Sequence, residues 1–276
     1  MFPFVYNRRD PRTYQVLTLL CLLLYGKFFL AFSVSWEQII ATAAVAVMVQ
    51  WFCTRWFGLP KFDPRSALIS SLSLCLLLRT DWLVYALLGI VIAVVSKFLL
   101  RVNGKHMFNP TNFGLAVMML CTDKVWMSPG QWGNAAYFGL LMACVGILVV
   151  VRSSRSDVTF AFIAAYSVLL LGRAAWLGDP MSIPLHQLGS GAFLLFSFFM
   201  ISDPMTTPNS RWGRILYACV VAIVSMYFQF GLFSTNALIW ALVCCCPIVP
   251  VLDRLMRGIR YEWPQSKSLT LMRSEK

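Results

Sequence analysis

The sequence has few charged residues. Asp, Glu, Lys and Arg make up 12% of its 276 residues, whereas a soluble domain carries about 25%. A soluble fold of this size needs more charge to cover its surface, so an ordinary soluble enzyme is excluded. Disorder is excluded as well, because hydrophobic residues make up 59% of the chain and aromatic residues 14%.

Residues typical of metal sites and acid–base catalysis are also scarce. There are only two histidines, His106 and His186, and they lie in different loops. The nine cysteines fall mostly inside apolar runs and show no Cys-x-x-Cys spacing, so neither a disulfide framework nor a metal site is predicted. The sequence contains no glycine-rich phosphate loop, and no residue stands out as a catalytic acid, base or nucleophile.

Apolar runs fill most of the chain instead. A membrane-spanning helix needs about 20 apolar residues, and seven runs reach or approach that length. Three further runs are shorter and predict half-helices buried among other helices. We therefore predict an all-α polytopic membrane protein with ten segments. The long runs are 14–34, 37–57, 82–102, 135–152, 157–176, 211–231 and 235–252, and the short runs are 66–79, 111–122 and 187–202.

The basic residues test this count. The net charge is +12, from 23 Lys and Arg against 11 Asp and Glu. If residues 1–13 are cytoplasmic and all ten segments cross, every Lys and Arg except Lys27, Arg79, Lys124 and Arg173 lies in or beside a cytoplasmic loop, as the positive-inside rule requires. The sequence thus predicts a multi-pass protein of the bacterial inner membrane with a cytoplasmic basic tail, 254–276. We attribute the excess of basic residues to membrane topology and not to nucleic-acid binding.

The spacing of the short segments indicates an internal repeat. The interval from Ser66 to Thr111 equals the interval from Ser190 to Thr235, and each of these residues stands near the start of a segment. Five segments per half is an odd number, so the second copy must be inverted. We predict one membrane domain over 1–276, made of inverted five-helix repeats at 14–123 and 135–253. Inverted repeats with short helices at the third, fifth and eighth positions indicate a binding site near the membrane midplane.

Polar motifs at the short segments are the candidate site. Asn109-Pro110 is a typical helix start, Asn112 lies one turn further, and Gly114 allows another backbone to approach closely. Asp203 ends the eighth segment, where a carboxylate needs a partner such as Arg211 or Arg214. A plain helix start and a plain helix stop are the alternatives. The predicted cofactor-binding residues are Asn109, Pro110, Thr111, Asn112, Gly114, Ser190, Asp203, Thr206, Thr207, Thr235 and Asn236.

Three other charged residues form a predicted charge pathway. Lys27 lies near the middle of the run 14–34, where a charge needs a partner or a function. Arg79 and Asp81 follow the third segment, and the alternative for them is a simple ion pair at the outer face.

Several stretches resemble the RnfD/NqrB family. Residues 187–217, with Phe-Phe-Met before Ser-Asp-Pro, are similar to the late segment of RnfD and of its homologue NqrB from the sodium-translocating NADH:quinone reductase. Residues 106–114 and 247–255 resemble the family's Phe-Asn-Pro segment and its closing Pro…Asp. The short chain is similar to compact, UnbU-like members. The resemblance implies a ten-helix inverted-repeat fold related to urea and ammonium transporters, and flavins within electron-transferring, ion-pumping complexes.

The sequence departs from that family at the covalent flavin. Family members attach a flavin phosphate to a Thr in a Ser-Gly-Ala-Thr-like motif, which does not occur here. The comparable loop offers only Thr122 and Ser128, in a different context. We therefore expect riboflavin or FMN to bind non-covalently between the repeats.

The resemblance also implies which molecules surround the chain, beginning with membrane lipid. The expected partners are other redox subunits, or a soluble or lipid-anchored flavoprotein or cytochrome. The chain would then be an electron-transfer subunit and not a stand-alone catalyst. A small-solute transporter or channel of the same fold, and a membrane scaffold for a redox partner, remain alternatives.

Overall fold

Helices make up most of the described chain in the computed structural model. The structure describes residues 10–59, 62–127 and 155–261. The predicted segment 135–152 and Ser128 lie outside these residues, as does most of the basic tail. The first half forms five helices, whose bounds agree with the predicted segments to within a few residues. They are Pro11–Phe29 (α1), Trp36–Trp56 (α2), Pro64–Leu77 (α3), Leu83–Leu99 (α4) and Pro110–Cys121 (α5).

The second half is more broken. Two of its helices widen from α-helix to π-helix at their carboxyl ends, after Leu195 and Met226. The helices are Ser156–Leu177 (α6), Ser182–Leu188 (α7), Gly191–Leu195 (α8) with its π extension Phe196–Met200, Arg211–Met226 (α9) with its π extension Tyr227–Gly231, Ala237–Cys245 (α10) and Ile248–Leu255 (α11).

Three helices of the described chain are long and apolar enough to cross a bilayer: Trp36–Trp56, Ser156–Leu177 and Arg211–Gly231. The number rises to five if α7 with α8 and α10 with α11 each count as one bent span. The prediction of an all-α membrane protein is confirmed at this level. The shorter apolar helices α3, α4 and α5 do not reach the required length on their own.

Bends divide two of the predicted segments. The axes of α7 and α8 differ by 44°, and those of α10 and α11 by 48°. The prediction of one continuous helix over 235–252 was wrong. Pro247 lies at the second bend, and proline disrupts a helix because it lacks an N–H group and its ring clashes with the preceding turn.

Two short antiparallel strand pairs complete the fold. Strand β1 (Leu78–Arg79) pairs with β4 (Trp126–Met127), which connects the end of α3 to the segment after α5. Strands β2 (Arg101–Val102) and β3 (Lys105–His106) form a hairpin. Its turn, Asn103-Gly104, has φ values of 51° and 73°, and Asn-Gly is the sequence that favours such a turn.

The helices pack in an order that keeps each half together. In the first half α1 packs on α3, α2 on α3 and α4, and α4 on α5. In the second half α9 packs on α6 and α10. Helices α5 and α10 contact one another across the halves. A Cβ atom on Gly114 would lie 2.6 Å from the carbonyl oxygen of Gly89 and 2.8 Å from Cβ of Ala93, so the predicted close approach at Gly114 is confirmed.

A repeated Asp-Pro-Arg tripeptide joins the starts of α1 and α3. Asp10 and Asp63 each cap a helix by accepting the N–H of the arginine two residues on, at 3.0 Å. The two arginines cross over: Arg12 lies 2.8 Å from Asp63, and Arg65 lies 3.1 Å from Asp10. Sequence reasoning missed this network, although the repeated tripeptide was the available signal.

Other basic residues form pairs beside predicted cytoplasmic loops. Lys105 lies 2.8 Å from Asp253, and Arg214 pairs with Asp157. Lys97 donates a hydrogen bond to the carbonyl oxygen of Ser66 at 2.7 Å. We call the part of the molecule that carries Arg12, Arg65, Lys97, Lys105 and Arg214 the basic end.

Candidate functional site

Seven of the predicted site residues line one of two cavities. The larger cavity has a volume of about 450 Å³ and is lined by Ser190, Thr235 and Asn236, among others. The smaller cavity, of about 70 Å³, is lined by Asn109, Pro110, Thr111 and Asp203, among others. Met200 lines both. The structure thus distributes these predicted residues over two cavities that share one lining residue.

The starts of two second-half helices form part of the larger cavity. Ser190 caps α8 by accepting the N–H of Phe193 at 3.3 Å. Thr235 and Asn236 stand at the start of α10, which has no side-chain cap. Leu77, at the end of α3, lines the same cavity from the first half. The larger cavity therefore lies between the two halves of the chain, as the site was predicted to do.

Aromatic rings form an apolar wall of the larger cavity. Phe193, Phe196 and Tyr166 line it, and the rings of Tyr166 and Phe193 lie 5.2 Å apart between centroids. Phe162, fully buried, supports Phe196 from behind at a centroid distance of 5.1 Å. Ligand sites are commonly apolar with a few placed polar groups, and this wall fits that description.

A chain of three polar side chains also lines the larger cavity. The Tyr166 hydroxyl donates to Oε1 of Gln229 at 2.5 Å, and Nε2 of Gln229 donates to Oε1 of Gln187 at 3.0 Å. All three residues line the cavity. Sequence reasoning missed them because they come from three separate elements and follow no local pattern.

Asn236 carries an unpaired acceptor at the larger cavity. Its Nδ2 donates to the sulfur of Met119 in α5 at 3.5 Å. Its Oδ1 is buried and has no hydrogen-bond partner among the described residues. Buried polar atoms are nearly always paired, so this acceptor is an unusual feature of the start of α10.

The smaller cavity is polar and lies at the basic end. Lys97 lines it and also donates to Oγ of Ser66 at 3.2 Å. Nδ1 of His106 lies 3.0 Å from the carbonyl oxygen of Lys97. Burial lowers the pKa of His106 to about 3, with further lowering by the charges of Lys97 and Arg101. His106 is therefore neutral at physiological pH.

The two asparagines of the fifth segment tie the halves together. Asn109 caps α5 by accepting the N–H of Asn112, so the predicted helix start is confirmed. Nδ2 of Asn109 donates to the carbonyl oxygen of Met200 at 3.2 Å, and Nδ2 of Asn112 donates to that of Ile239 at 3.1 Å. Oδ1 of Asn112 is buried and has no partner within the part of the chain that the structure describes. The hydroxyl of Thr111 instead donates to the carbonyl oxygen of Ser70, in the first half, at 3.4 Å.

The predicted ion pair between Asp203 and Arg211 or Arg214 was wrong. Asp203 turns back onto its own backbone and accepts the N–H of Met205 at 3.0 Å, while the guanidinium of Arg214 binds Asp157. Burial raises the pKa of Asp203 more than the Met205 N–H and the charge of Lys97 lower it. The partners differ from the prediction because Arg214, in the first turn of α9, lies beside the first turn of α6, which carries Asp157.

The two threonines after Asp203 belong to the same turn. The hydroxyl of Thr206 donates to the carbonyl oxygen of Asp203 at 3.3 Å. The carbonyl oxygen of Thr207 accepts a hydrogen bond from Lys105 at 2.5 Å. The buried hydroxyl of Thr207 has no partner among residues 10–59, 62–127 and 155–261. Neither threonine is among the residues that line the two cavities.

The three residues of the predicted charge pathway have different local contacts. Lys27 lies in the last turn of α1, not in mid-helix, and donates to the carbonyl oxygen of Val34 at 2.5 Å. Arg79 is buried and donates to the carbonyl oxygens of Cys75 and Leu76 at the end of α3. Asp81 is exposed, and the ion pairs among the described residues do not join it to Arg79. A guanidinium at a helix carboxyl end satisfies carbonyls that the helix leaves unpaired.

The remaining predictions concern covalent flavin and metal. Thr122 ends α5, and its hydroxyl accepts the N–H of Lys124 at 3.1 Å; Ser128 lies outside the described residues. Within residues 10–59, 62–127 and 155–261, no three His, Cys, Asp or Glu side chains gather where they could hold a metal ion.

Known proteins with similar sequences share a name. The chain is 30% identical to the D subunit of the ion-translocating oxidoreductase complex of Erwinia tasmaniensis over 125 residues, which are 45% of this chain and 34% of that protein. It is 28% identical to the protein of the same name from Psychromonas ingrahamii over 167 residues, 58% of this chain and 47% of the relative. The chain spans less than half the length of these relatives.

A family model gives the assignment. The model described as the NQR2, RnfD, RnfE family matches residues 121–262, just over half of the chain. The matched region contains α6 to α11 and most of the residues around the larger cavity. The chain belongs to the NQR2, RnfD, RnfE family.

Proposed function

We propose that this protein is a membrane-embedded electron-transfer subunit of an ion-translocating oxidoreductase complex that holds a flavin non-covalently in the larger cavity. The observation that carries the proposal is the cavity itself, which lies between the two halves and has an aromatic wall and a few polar side chains. Family membership and the names of the relatives support the redox setting.

Size favours the larger of the two cavities. Cofactor sites measure about 300–1,000 Å³, and the larger cavity measures about 450 Å³. The smaller cavity, at about 70 Å³, has room for water and not for a flavin. Of the predicted cofactor-binding residues, Ser190, Thr235 and Asn236 are therefore the ones we propose to contact the flavin. Asn109 and Asn112 would support the site by joining the halves.

The residues present fit a flavin. The amides of Gln187 and Gln229 line the larger cavity and can contact ring carbonyls. Phe193 and Phe196 would exclude water from one side of the ring system. A bound flavin supplies one- and two-electron transfer, and the protein supplies binding, orientation and a dry site.

We further propose that the two halves are inverted repeats. Asn112 near the start of α5 reaches Ile239, whereas Asn236 at the start of α10 reaches Met119 further along α5. These contacts support an antiparallel arrangement of α5 and α10. The third, fifth, eighth and tenth segments are all short or broken, and repeats of this kind place their sites at such elements.

The basic end supports the orientation in the membrane. Its residues would face the cytoplasm, with both termini on that side of a bacterial inner membrane, and the larger cavity would then face the opposite side. We propose other subunits of the complex, or a soluble or lipid-anchored flavoprotein or cytochrome, as electron donor or acceptor.

An absorbance spectrum tests flavin binding. The full chain would be purified in mild detergent from cells supplied with riboflavin, and a denaturing gel would then be viewed for fluorescence. We expect flavin absorbance bands and a non-fluorescent protein band. A protein without flavin contradicts the proposal. A fluorescent band contradicts non-covalent binding, and its loss in Thr122→Val would locate the bond.

One observation favours a second candidate function. The two cavities share Met200 as a lining residue, so a movement of this side chain would open a path between them for a small solute. Urea permeability of proteoliposomes, followed by light scattering, tests this alternative. Permeability above that of empty liposomes that rises in Met200→Ala and is insensitive to redox state would favour a transporter or channel over a redox subunit.

A further inference from the structure

We infer that His186 is the charge-compensating residue of the larger cavity, which in its protonated form stabilises the negative charge that a flavin acquires on reduction. Loss of the proton from His186 would then lower the reduction potential of the bound flavin. This inference rests on the proposed function, because it specifies which residue favours the reduced flavin over the oxidised one.

The described lining of the larger cavity carries no permanent charge. Its side chains are apolar, or carry amide or hydroxyl groups, with His186 as the exception. No Asp, Glu, Lys or Arg is among these residues. Histidine is the side chain whose charge ordinarily changes between about pH 5 and pH 8. Among the described lining residues, His186 is therefore the one that can bring a positive charge to a ligand near neutral pH.

The position of His186 suits it to gain and lose a proton. It lies in the last turn of α7, where the carboxyl end of the helix favours a cation. The residue is exposed and also lines the larger cavity. Its side chain can thus exchange a proton directly with water, and it can take up that proton when a negative charge appears in the cavity.

The charged groups of the elements around α7 already have partners. Helix α7 packs against α6 and α8, and α8 with its π extension carries no titratable side chain. On α6, Asp157 pairs with Arg214 at the basic end, and Arg173 lies 3.4 Å from Asp179. The remaining titratable group of α6 is the uncharged hydroxyl of Tyr166. These groups leave the compensation of a new charge in the cavity to His186.

Arg79 is the fixed charge on the side of the first half. It lies in β1, which pairs with β4, and Met127 of β4 lines the larger cavity. The guanidinium donates to the carbonyl oxygens of Cys75 and Leu76. Because an arginine keeps its proton at any pH near neutral, Arg79 adds a constant positive potential. It cannot produce a pH-dependent one.

Reduction of a flavin would add negative charge to this cavity. A flavin that takes up two electrons and one proton gains one negative charge on its ring system. The electrons come from the proposed redox partner, a flavoprotein or cytochrome, and no bond between flavin and protein forms or breaks. Opposite charges attract more strongly away from bulk water, and a charge near the ring nitrogens tunes the potential of a flavin. Protonated His186 therefore favours the reduced state, and neutral His186 does not.

A redox titration of the full chain, followed by absorbance in mild detergent, tests the inference. The reduction potential of the bound flavin is measured at about pH 5.5 and about pH 9, where a histidine is ordinarily protonated and neutral, respectively. The unaltered protein is compared with His186→Gln, which cannot become charged, and with His186→Lys, whose side chain is ordinarily positive at both pH values. Unfolding midpoints show that each variant is folded, as expected for substitutions at an exposed position.

We expect a difference in potential that depends on pH. At about pH 5.5 the potential of the unaltered protein should exceed that of His186→Gln, by a shift equivalent to about three- to tenfold tighter binding of the reduced flavin. At about pH 9 these two potentials should agree, and that of His186→Lys should stay above both. Lys124→Gln removes a positive charge from an exposed residue outside the described cavity lining. This control should match the unaltered protein at both pH values.

The possible failures are distinguishable. If His186→Gln has the potential of the unaltered protein at both pH values, or if Lys124→Gln lowers the potential equally, the inference is overturned and flavin binding stands. A difference of unchanged size at about pH 9 overturns it as well. If His186→Gln is purified without flavin, equal potentials of the unaltered protein and His186→Lys at about pH 9 overturn the inference. If the unaltered protein holds no flavin, the proposed function fails and the inference fails with it.

Discussion

Gly114 is the residue on which the close packing of α5 against α4 depends. A methyl group there would overlap the Gly89 carbonyl oxygen at 2.6 Å, and a backbone atom cannot move aside as a flexible side chain can. We predict that Gly114→Ala destabilises the protein by about 1–3 kcal/mol, the usual cost of overpacking, measured by thermal unfolding in detergent. Gly172→Ala is the control, because a Cβ atom there meets nothing within 4 Å. Equal midpoints for the two variants would contradict the packing argument.

The paired Asp-Pro-Arg caps predict a pH effect. Burial raises the pKa of Asp63, but the hydrogen bond from Arg65 and the charges of Arg12 and Arg65 outweigh it, so the net shift is downward. A carboxyl whose folded-state pKa lies below its unfolded value of about 3.9 stabilises the fold above that value and loses this contribution as the pH falls through the folded-state pKa.

Thermal unfolding between neutral pH and pH below 4 measures this effect. The asparagine of Asp63→Asn can still cap α3. The unfolding midpoint of this variant should fall less steeply with decreasing pH than the midpoint of the unaltered protein. Asp81→Asn, at an exposed position, should show the slope of the unaltered protein. Identical slopes for all three proteins would mean that the paired Asp-Pro-Arg caps do not contribute to the pH dependence of stability.

At the residue scale, local features were predictable and distant partners were not. The helix start at Asn109 and the close approach at Gly114 follow from neighbours in the sequence, and the structure confirms both. Asp203 was assigned the nearest arginines, yet Arg214 binds Asp157. Which charges meet depends on how helices are arranged, and sequence separation does not report that arrangement.

At the element scale, two serine caps allow a matched comparison. Ser190 caps α8 beside the larger cavity, and Ser210 caps α9 by accepting the N–H of Gly213 at 3.0 Å. Removing either cap should cost about 1 kcal/mol, so both alanine variants should lower the unfolding midpoint to a similar extent. Only Ser190→Ala should also weaken flavin binding, as fluorescence quenching would show. Equal binding losses in both variants would indicate a general loss of stability.

Helix positions were predictable because apolar runs determine them, whereas helix continuity was not. The observed bounds of α2, α5 and α6 lie within one residue of the runs 37–57, 111–122 and 157–176. The break in the run 235–252 was missed although Pro247 signals it. The π-helical ends of α8 and α9 were missed as well, although both segments, Phe196–Met200 and Tyr227–Gly231, are rich in aromatic residues.

At the scale of the whole molecule, the account predicts opposite exposure of two surface sites. Single cysteines would replace Ser182, at the start of α7, and Arg257, after α11, in a variant without native cysteines. Both positions are exposed. A membrane-impermeant maleimide should label Ser182→Cys in intact spheroplasts and Arg257→Cys only after lysis. Labelling of Arg257→Cys before lysis would contradict the proposed cytoplasmic basic end.

The larger cavity was predictable in part. The sequence located the short segments and the residues Ser190, Thr235 and Asn236, because polar residues at the start of an apolar run are visible in it. It could not show that Asn109 and Asp203 belong to a second, much smaller cavity, since that division depends on where Met200 lies. Nor could it show the chain from Tyr166 to Gln187, whose members meet only in the folded protein.

The flavin content of two matched variants tests the central claim most directly. Ala192 lines the larger cavity, and Ala164 is an exposed alanine of α6. We predict that the unaltered protein and Ala164→Phe are purified with flavin at equal ratios to protein, and that Ala192→Phe, which fills the cavity, is purified with little or none at a similar unfolding midpoint. Flavin retained in full by Ala192→Phe, or absent from the unaltered protein, would contradict the account.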